Sequence, residues 1–115
     1  MNTIKLVYIC SPLRGDIERN IAKAVGYCRF ASIQGVIPLA PHIIFTQFLN
    51  DEISEERKLG LQLGLELLKY CQELWAFGGW ITEGMLGEIE SAKRLSIPCQ
   101  YYSDQCERSE NTHEP

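Results

Sequence analysis

The residues with the clearest chemical potential are three glutamates in residues 80–95: Glu83, Glu88 and Glu90. On a helix at about 100° per residue, three apolar residues fall on one stripe: Met85, Ile89 and Ala92. Glu83 and Glu90 project toward solvent, whereas Glu88 projects onto the flank of the face that should be buried. Because a half-buried carboxylate needs hydrogen-bond partners or a raised pKa, Glu88 is the candidate functional residue of the three. The alternative is a structural carboxylate that bonds to a neighbouring loop.

The segment "CSPLRGD" (residues 10–16) offers a second group of candidate residues between a predicted strand and a predicted helix. Ser11 supplies a hydroxyl, Arg14 a guanidinium and Gly15 a flexible backbone. Together at a helix N-terminus they suit an anion such as phosphate. The spacing matches neither the Walker A pattern nor GxGxxG. The alternative is an ordinary strand-to-helix turn.

Three further side chains are candidates for ligand binding. Asn20 lies one turn into the first predicted helix, where it could also be a solvent-exposed polar residue. His42 stands next to two prolines, where a structural histidine bonded to backbone is the alternative. Trp80 lies in a glycine-rich loop and could cover or stack on a planar ligand, or pack on the surface instead.

Strand and helix patterns alternate along the chain. The predicted strands span residues 3–10, 36–42, 73–77 and 97–102. The predicted helices span residues 16–35, 54–71 and 84–95, and residues 42–52 are interpreted as a loop with a helical turn. Asp16 is the predicted N-cap of the first helix and Gly35 its C-terminal stop.

This alternation predicts an α/β fold. We expect one domain with a doubly wound parallel sheet of four to five strands flanked by helices, Rossmann-like or flavodoxin-like. Ligands bind such sheets at the carboxyl ends of the strands, near the point where the strand order reverses. Three segments reach that edge: "SPLRG", "PLAPH" and "GGWITEGMLGE". Glu88 therefore points to the predicted ligand site.

Composition narrows the class of protein. The chain has 115 residues and a net charge of −4, which argues against a nucleic-acid polymer or an anionic membrane as its main partner. No apolar run approaches the ~20 residues needed to span a bilayer. Five separated cysteines without a CxxC pair predict reduced thiols and a cytoplasmic location. The chain has only two histidines, so a zinc site is not expected. No cofactor is expected either.

Residues 54–71 predict a helix with an unusually wide apolar face. Gly60 and Gly64 are spaced i, i+4, which suggests close packing against another helix, from the same chain or from a second subunit. We therefore expect a homo-oligomer, a dimer or larger, that uses this helix.

Several of these stretches resemble the nucleoside 2-deoxyribosyltransferase-like superfamily, above all its small members from bacteria and their phages. The similar stretches are "YICSP", the helix with Asn20, "ELWAFG" and "TEGMLGEIESAKRLSIP". They cover about residues 4–102. The resemblance thus implies one domain over residues 1–102. The polar composition of residues 103–115 predicts a flexible tail.

The resemblance also implies roles for residues. Glu88 matches the glutamate that attacks the anomeric carbon of a deoxyribosyl group and forms a covalent intermediate. The loop after the first strand would line the sugar, base or phosphate pocket with Tyr8, Ser11, Pro12, Leu13, Arg14 and Gly15. The candidate ligand-binding set is completed by Asn20, His42, Trp80, Thr82, Gly84 and Met85.

This chain departs from the family at two positions. Thr82 stands where the transferases carry an aspartate, six positions before the nucleophile. Gln72, where the third predicted strand begins, stands where many relatives also have an aspartate. Asp51 or His42 could take over protonation of the base. Arg14 favours a nucleotide with a 5′-phosphate over a free nucleoside.

Two functions of different classes remain open, with a third behind them. The leading interpretation is an N-glycosidase or deoxyribosyltransferase-like enzyme that acts on a nucleoside or nucleotide. The main alternative is a catalytically silent protein that senses or sequesters a nucleotide. The third is an interaction module with a vestigial pocket.

Overall fold

Strands and helices alternate along residues 3–109, the part of the chain that the computed structural model describes. The strands are β1 (Leu6–Cys10), β2 (Ile37–Leu39), β3 (Glu73–Phe77), β4 (Cys99–Tyr102) and β5 (Arg108–Ser109). The helices are α1 (Ile17–Ile33), α2 (Pro41–Phe45), α3 (Ser54–Leu68) and α4 (Glu83–Arg94). All the predicted strands and helices are present, with ends that differ by a few residues. Within the described range, no helix has the length and apolar composition needed to cross a membrane.

The five strands form one sheet in the order β2-β1-β3-β4-β5. β2, β1, β3 and β4 are parallel, and β5 pairs antiparallel with β4. The structure therefore confirms the predicted α/β class, with a mostly parallel sheet flanked by helices. The strand order reverses direction between β1 and β3, so the switch point lies at the carboxyl ends of these central strands.

Side chains along the central strands point alternately to the two faces of the sheet, so the core has two layers. One layer packs α3 and α4 on the sheet and includes Tyr8, Cys10, Leu68, Leu74, Ala76, Met85, Ile89 and Ala92. The other packs α1 on the opposite face and includes Val7, Ile9, Ala24, Tyr27, Ala31, Trp75 and Phe77. Because Tyr8 and Cys10 are two residues apart on β1, both side chains face the layer that contains α4.

Local capping sets the starts of α1 and α4. Asp16 caps α1 as predicted, and the side chain of Thr82 caps α4 by accepting a hydrogen bond from the backbone N–H of Met85 at 3.3 Å. The predicted apolar stripe of α4 is buried: Met85, Ile89 and Ala92. Glu83 and Glu90 are exposed. The projection drawn from the sequence is therefore confirmed for this helix.

The end of the described chain differs from the expected polar tail. The Ser103 hydroxyl accepts hydrogen bonds from the backbone N–H groups of Gln105 and Glu107, at 3.1 and 3.2 Å, and so holds a turn. The chain then returns to pair with β4 as β5. The tail prediction is corrected for residues 103–109, because backbone pairing orders a polar segment that has no apolar pattern. Residues 110–115 lie outside the described residues.

Helix α3 brings its two glycines against its own chain. A Cβ added to Gly64 would lie 3.1 Å from the Tyr8 hydroxyl and 3.6 Å from the Cβ of Pro41, the first residue of α2. A Cβ added to Gly60 would meet Leu49 Cδ1 at 3.8 Å, which is ordinary contact. The predicted close approach is therefore made within the subunit, and at Gly64 it makes room for a tyrosine hydroxyl.

Replacing each glycine by alanine separates helix propensity from packing. Both substitutions favour α3 by about 0.5–1 kcal/mol. We expect Gly60→Ala to raise the free energy of unfolding by about that amount. We expect Gly64→Ala to lower it, because overpacking costs about 1–3 kcal/mol. Urea denaturation measures both values, and equal stabilisation by the two variants would contradict the close contact at Gly64.

Candidate functional site

Glu88 lies in the second turn of α4, where the helix crosses β1. The residue is half-buried, and both of its carboxylate oxygens have a donor from β1. The Tyr8 hydroxyl donates to Oε2, and the Cys10 thiol donates to Oε1 at 3.2 Å. Burial raises the pKa of Glu88, although the hydrogen bonds from Tyr8 and Cys10 act in the opposite direction. The predicted half-buried carboxylate is thus present, with two partners.

Both donors stay protonated at neutral pH. Burial, followed by the charge of Glu88 and the hydrogen bond to it, raises the pKa values of Tyr8 and Cys10 well above their usual values. The ion pairs of the described residues are Lys5–Glu73, Arg14–Asp51 and Lys69–Glu66, so none of them includes Glu88. The carboxylate is therefore held by neutral donors and not by a cation. It keeps more of its basicity than a salt-bridged carboxylate would.

A cleft opens beside Glu88 at the carboxyl end of β1. Its walls come from β1, the loop after β1, α2, the segment that follows α2, and α3. Four residues of the predicted site line it: Tyr8, Leu13, His42 and Glu88. Asp51, which the sequence suggested as a replacement acid, lines the same cleft. The structure thus brings the nucleophile candidate and both acid candidates to one cavity.

His42 is bonded to a side chain of the predicted site. Its Nε2 lies 2.8 Å from the hydroxyl oxygen of the buried Ser11. Burial lowers the pKa of His42 to about 4, so the ring is neutral at pH 7. The expected alternative, a ring bonded to backbone, is not what the structure shows. A neutral imidazole in a cleft can donate or accept one hydrogen bond to a ligand but brings no charge.

Asn20 holds the loop that follows β1. Its side-chain amide donates to the carbonyl oxygens of Leu13 and Arg14, at 3.0 and 3.1 Å. Gly15 takes a φ of +100°, which only glycine adopts without strain. The mostly exposed Arg14 then pairs with Asp51, with 3.6 Å between Nε and Oδ2. Asn20 and Gly15 therefore shape the loop, and Arg14 pairs with a residue of the cleft wall.

The other predicted site residues lie outside the lining of this cleft. Pro12 packs on Gly78, and Trp80 is 73% exposed. Thr82 is occupied as a helix cap, Met85 is buried in the core, and Gly84 is exposed at the start of α4. None of these five residues lines the cleft beside Glu88.

Sequence reasoning missed the role of Cys10 and the contribution of α3. Cys10 had a usable signal, since it is two residues from Tyr8 on a strand and must share its face. Glu56, Arg57 and Leu61 of α3 also line the cleft. Their helix was predicted, but nothing local in the sequence shows which sheet edge a helix crosses.

A larger and more open depression lies at the opposite edge of the sheet. It is lined by the end of α4, the amino end of β4 and β5, including Lys93, Gln100 and Arg108. Among the described residues, its lining contains no carboxylate and no histidine. The cleft beside Glu88 is therefore the better candidate for a functional site.

Comparisons with known proteins add a family and a fold. Residues 5–102 match the family described as "Domain of unknown function (DUF7768)". No curated protein matches the chain significantly. Among solved structures, the chain is similar to the 2-deoxyribosyltransferase of the psychrotolerant bacterium Bacillus psychrosaccharolyticus, with a TM-score of 0.63 and 19% identity. That match covers 85% of this chain and 72% of that chain, and at this identity it supports the fold.

The neutral state of His42 predicts a pH dependence of stability. A histidine in an unfolded chain titrates near pH 6.5. Between about pH 6.5 and the folded pKa of about 4, the unfolded state binds a proton that the folded state does not. The contribution of neutral His42 to the free energy of unfolding is therefore fully present above this window. It is lost as the pH drops through the window, by at most about 1.4 kcal/mol per pH unit.

Urea denaturation at several pH values measures this loss. The variant His42→Gln should show a shallower loss between pH 6.5 and 4 than the unaltered protein, because it has no imidazole to protonate. Nuclear magnetic resonance of the His42 ring gives the folded pKa directly. A ring that titrates near its usual value, or an unchanged slope in His42→Gln, would contradict the burial of a neutral imidazole.

Proposed function

The chain belongs to the DUF7768 family, and from the geometry of its cleft we propose that it cleaves the N-glycosidic bond of a (deoxy)nucleoside or nucleotide. Glu88 is the proposed nucleophile, and the reaction is hydrolysis or deoxyribosyl transfer. The observation that carries the proposal is a carboxylate held by two neutral donors beside a cleft at the switch point of the sheet. The fold shared with a 2-deoxyribosyltransferase supports the choice of substrate class.

In the first step, an oxygen of Glu88 attacks the anomeric carbon of the sugar. The C–O ester bond forms as the C–N bond breaks, and the electron pair of that bond leaves on the base nitrogen. In the second step, water or the nitrogen of an acceptor base attacks the same carbon. The ester bond then breaks, its electron pair returns to the carboxylate, and the attacking group loses its proton. Partial burial of Glu88 strengthens its electrostatic contact with the oxocarbenium-like transition state.

Two groups of the cleft can meet the leaving base. His42 is neutral at pH 7, so it can stabilise the base through a hydrogen bond but does not act as an imidazolium acid. Asp51 lies on the same cleft and is paired with Arg14. A carboxylate in an ion pair has no proton to donate, so in this proposal the proton for the departing nitrogen comes from water, which the Asp51 carboxylate can orient.

We propose a nucleotide as the preferred substrate because of Arg14. Its guanidinium pairs with Asp51 of the cleft wall, and its side chain is 68% exposed. A 5′-phosphate can replace Asp51 as its partner, since a guanidinium binds phosphate through two parallel hydrogen bonds. The same exchange would release Asp51 toward the base.

A nucleotide-binding protein without catalysis is the second candidate. It is favoured by Thr82, which stands in place of the transferase aspartate and is occupied in capping α4. A panel of nucleosides and 5′-nucleotides, tested for thermal shift and for release of free base, separates the two functions. Binding with release supports the enzyme, whereas binding alone supports the sequestering protein.

Glu88→Gln tests the proposed nucleophile. Glutamine keeps the size and polarity of the side chain but cannot easily form the sugar ester. We expect the variant to fold and bind ligand while base release falls by orders of magnitude. Glu83→Gln and Glu90→Gln are matched controls on the exposed face of the same helix, and they should stay within a few-fold of the unaltered protein.

Mass spectrometry gives an independent measure of the same step. With a slowly turned-over deoxyribosyl substrate, a sugar adduct should appear on the peptide that contains Glu88. Intact base release in Glu88→Gln would show that another group is the nucleophile. A variant that unfolds would identify Glu88 as a structural carboxylate.

We further propose that the protein forms a homo-oligomer in the cytoplasm through α3. Four leucines of this helix are 37–51% exposed: Leu59, Leu61, Leu63 and Leu65. At 100° per residue, Leu59 and Leu63 lie on one flank of the buried stripe, and Leu61 and Leu65 lie on the other. The five cysteines are free thiols, which is typical of a reducing compartment.

Light scattering at micromolar concentration tests this assembly. We expect a dimer or larger species, and a shift toward monomer in Leu63→Glu and Leu65→Glu, because a buried charge at an apolar interface is costly. Leu95→Glu is the control, since Leu95 is 45% exposed at the end of α4. A monomer at every concentration would overturn the proposal.

A further inference from the structure

Cys10 binds the nucleophile candidate from the core, outside the lining of the cleft. Its side chain is fully buried, and its thiol lies 3.2 Å from Glu88 Oε1 and 3.8 Å from the backbone oxygen of Met85. The Tyr8 hydroxyl, by contrast, lies beside Gly64, and both residues line the cleft. Glu88 therefore turns Oε1 into the protein and Oε2 toward Tyr8 and the cleft.

The type of hydrogen-bond donor at position 10 affects the basicity of the Glu88 carboxylate. A thiol is a weak hydrogen-bond donor, whereas a hydroxyl of nearly the same shape is a strong one. A strong donor stabilises the charged form of a carboxylate and makes it less basic, and removal of the donor does the opposite. A thiol at this place fixes the rotamer of Glu88 while neutralising little of its negative charge.

We propose that Cys10 is a positioning residue for Glu88: its thiol anchors the inward oxygen through a weak hydrogen bond and so keeps the carboxylate reactive. The inference about the carboxylate rests on the contacts of Cys10, and its consequence for the reaction rests on the proposed function. Cys10 does not touch the cleft, so it acts only through Glu88.

The surroundings of Glu88 allow the effect of Cys10 to be isolated. The titratable and charged groups that face it from β1 are Tyr8 and Cys10 themselves. On the cleft side they are His42 of α2, Asp51 of the following segment, and Glu56 and Arg57 of α3. Substitution of Cys10 by a small residue leaves Tyr8 and the groups on the cleft side in place.

The test is the series Cys10→Ala, unaltered protein and Cys10→Ser. The pKa of Glu88 is read from nuclear magnetic resonance of carboxyl-labelled glutamate, with the signal identified by its loss in Glu88→Gln. We expect the highest pKa in Cys10→Ala, an intermediate value in the unaltered protein and the lowest in Cys10→Ser. Cys28→Ser is the control, since Cys28 lies on α1 on the opposite face of the sheet.

Base release against pH is the second readout. Its acid limb should shift in the same order as the pKa of Glu88, and Cys10→Ser should release base several-fold more slowly on the plateau. The same Glu88 pKa in all three proteins would overturn the inference, as would a shift of equal size in Cys28→Ser. If the pKa order appears but no protein releases base from any substrate of the panel, Cys10 controls Glu88 and the proposed function fails.

Discussion

The withdrawal of one carboxylate from water is the constraint on which the rest of the site depends. A carboxylate in this position loses hydration, so both of its oxygens need donors within the protein. Tyr8 and Cys10 meet this need because they are alternate residues of one strand and share one face. Helix α4 must then cross β1 with Glu88 directly over them, and the burial of Met85 and Ile89 fixes that crossing. Among the described residues, no buried side-chain nitrogen or oxygen lacks a partner.

The same constraint explains the composition of the cleft wall. The Tyr8 hydroxyl reaches Glu88 only if α3 leaves room, and the absence of a side chain at Gly64 provides it. Pro41 starts α2 beside that glycine, so α2 and α3 pack closely and bring His42 to the cleft. Gly64 weakens α3 by about 1 kcal/mol relative to alanine, but it leaves the space that the contact between Tyr8 and Glu88 needs.

Charge is distributed unevenly along the cleft. Around Glu88 the partners are neutral: a phenol and a thiol, with the uncharged His42 ring on the same cleft. Around Asp51 the groups are charged: Arg14 pairs with its carboxylate, and Arg57 donates to its backbone oxygen at 3.2 Å. An inner region without cations preserves the basicity of Glu88. The two guanidiniums stand beside Asp51 and a second carboxylate of the cleft wall, so an anionic part of a ligand binds by taking the place of a carboxylate. The arrangement suits the proposed substrate class, a sugar inside and a phosphate outside.

Local patterns in the sequence were sufficient to predict the helices and strands and the half-buried position of Glu88 on its helix. The apolar stripe of α4, the N-cap at Asp16 and the buried strand β3 each depend on neighbours within a few residues, so periodicity predicts them.

The contacts that make the site depend on distant residues: Tyr8 and Glu88 are 80 positions apart, and Ser11 and His42 are 31 apart. Two predicted ligand residues, Thr82 and Met85, act as a helix cap and a core residue, and their role in ligand binding stays a prediction. The strand β5 was not foreseen, because a two-residue polar strand is stabilised only by the edge it pairs with. Sequence periodicity thus determined which residues face the core, whereas only tertiary packing decided which of those faces meet, because the crossing of α3 and α4 over β1 is set by all their contacts together.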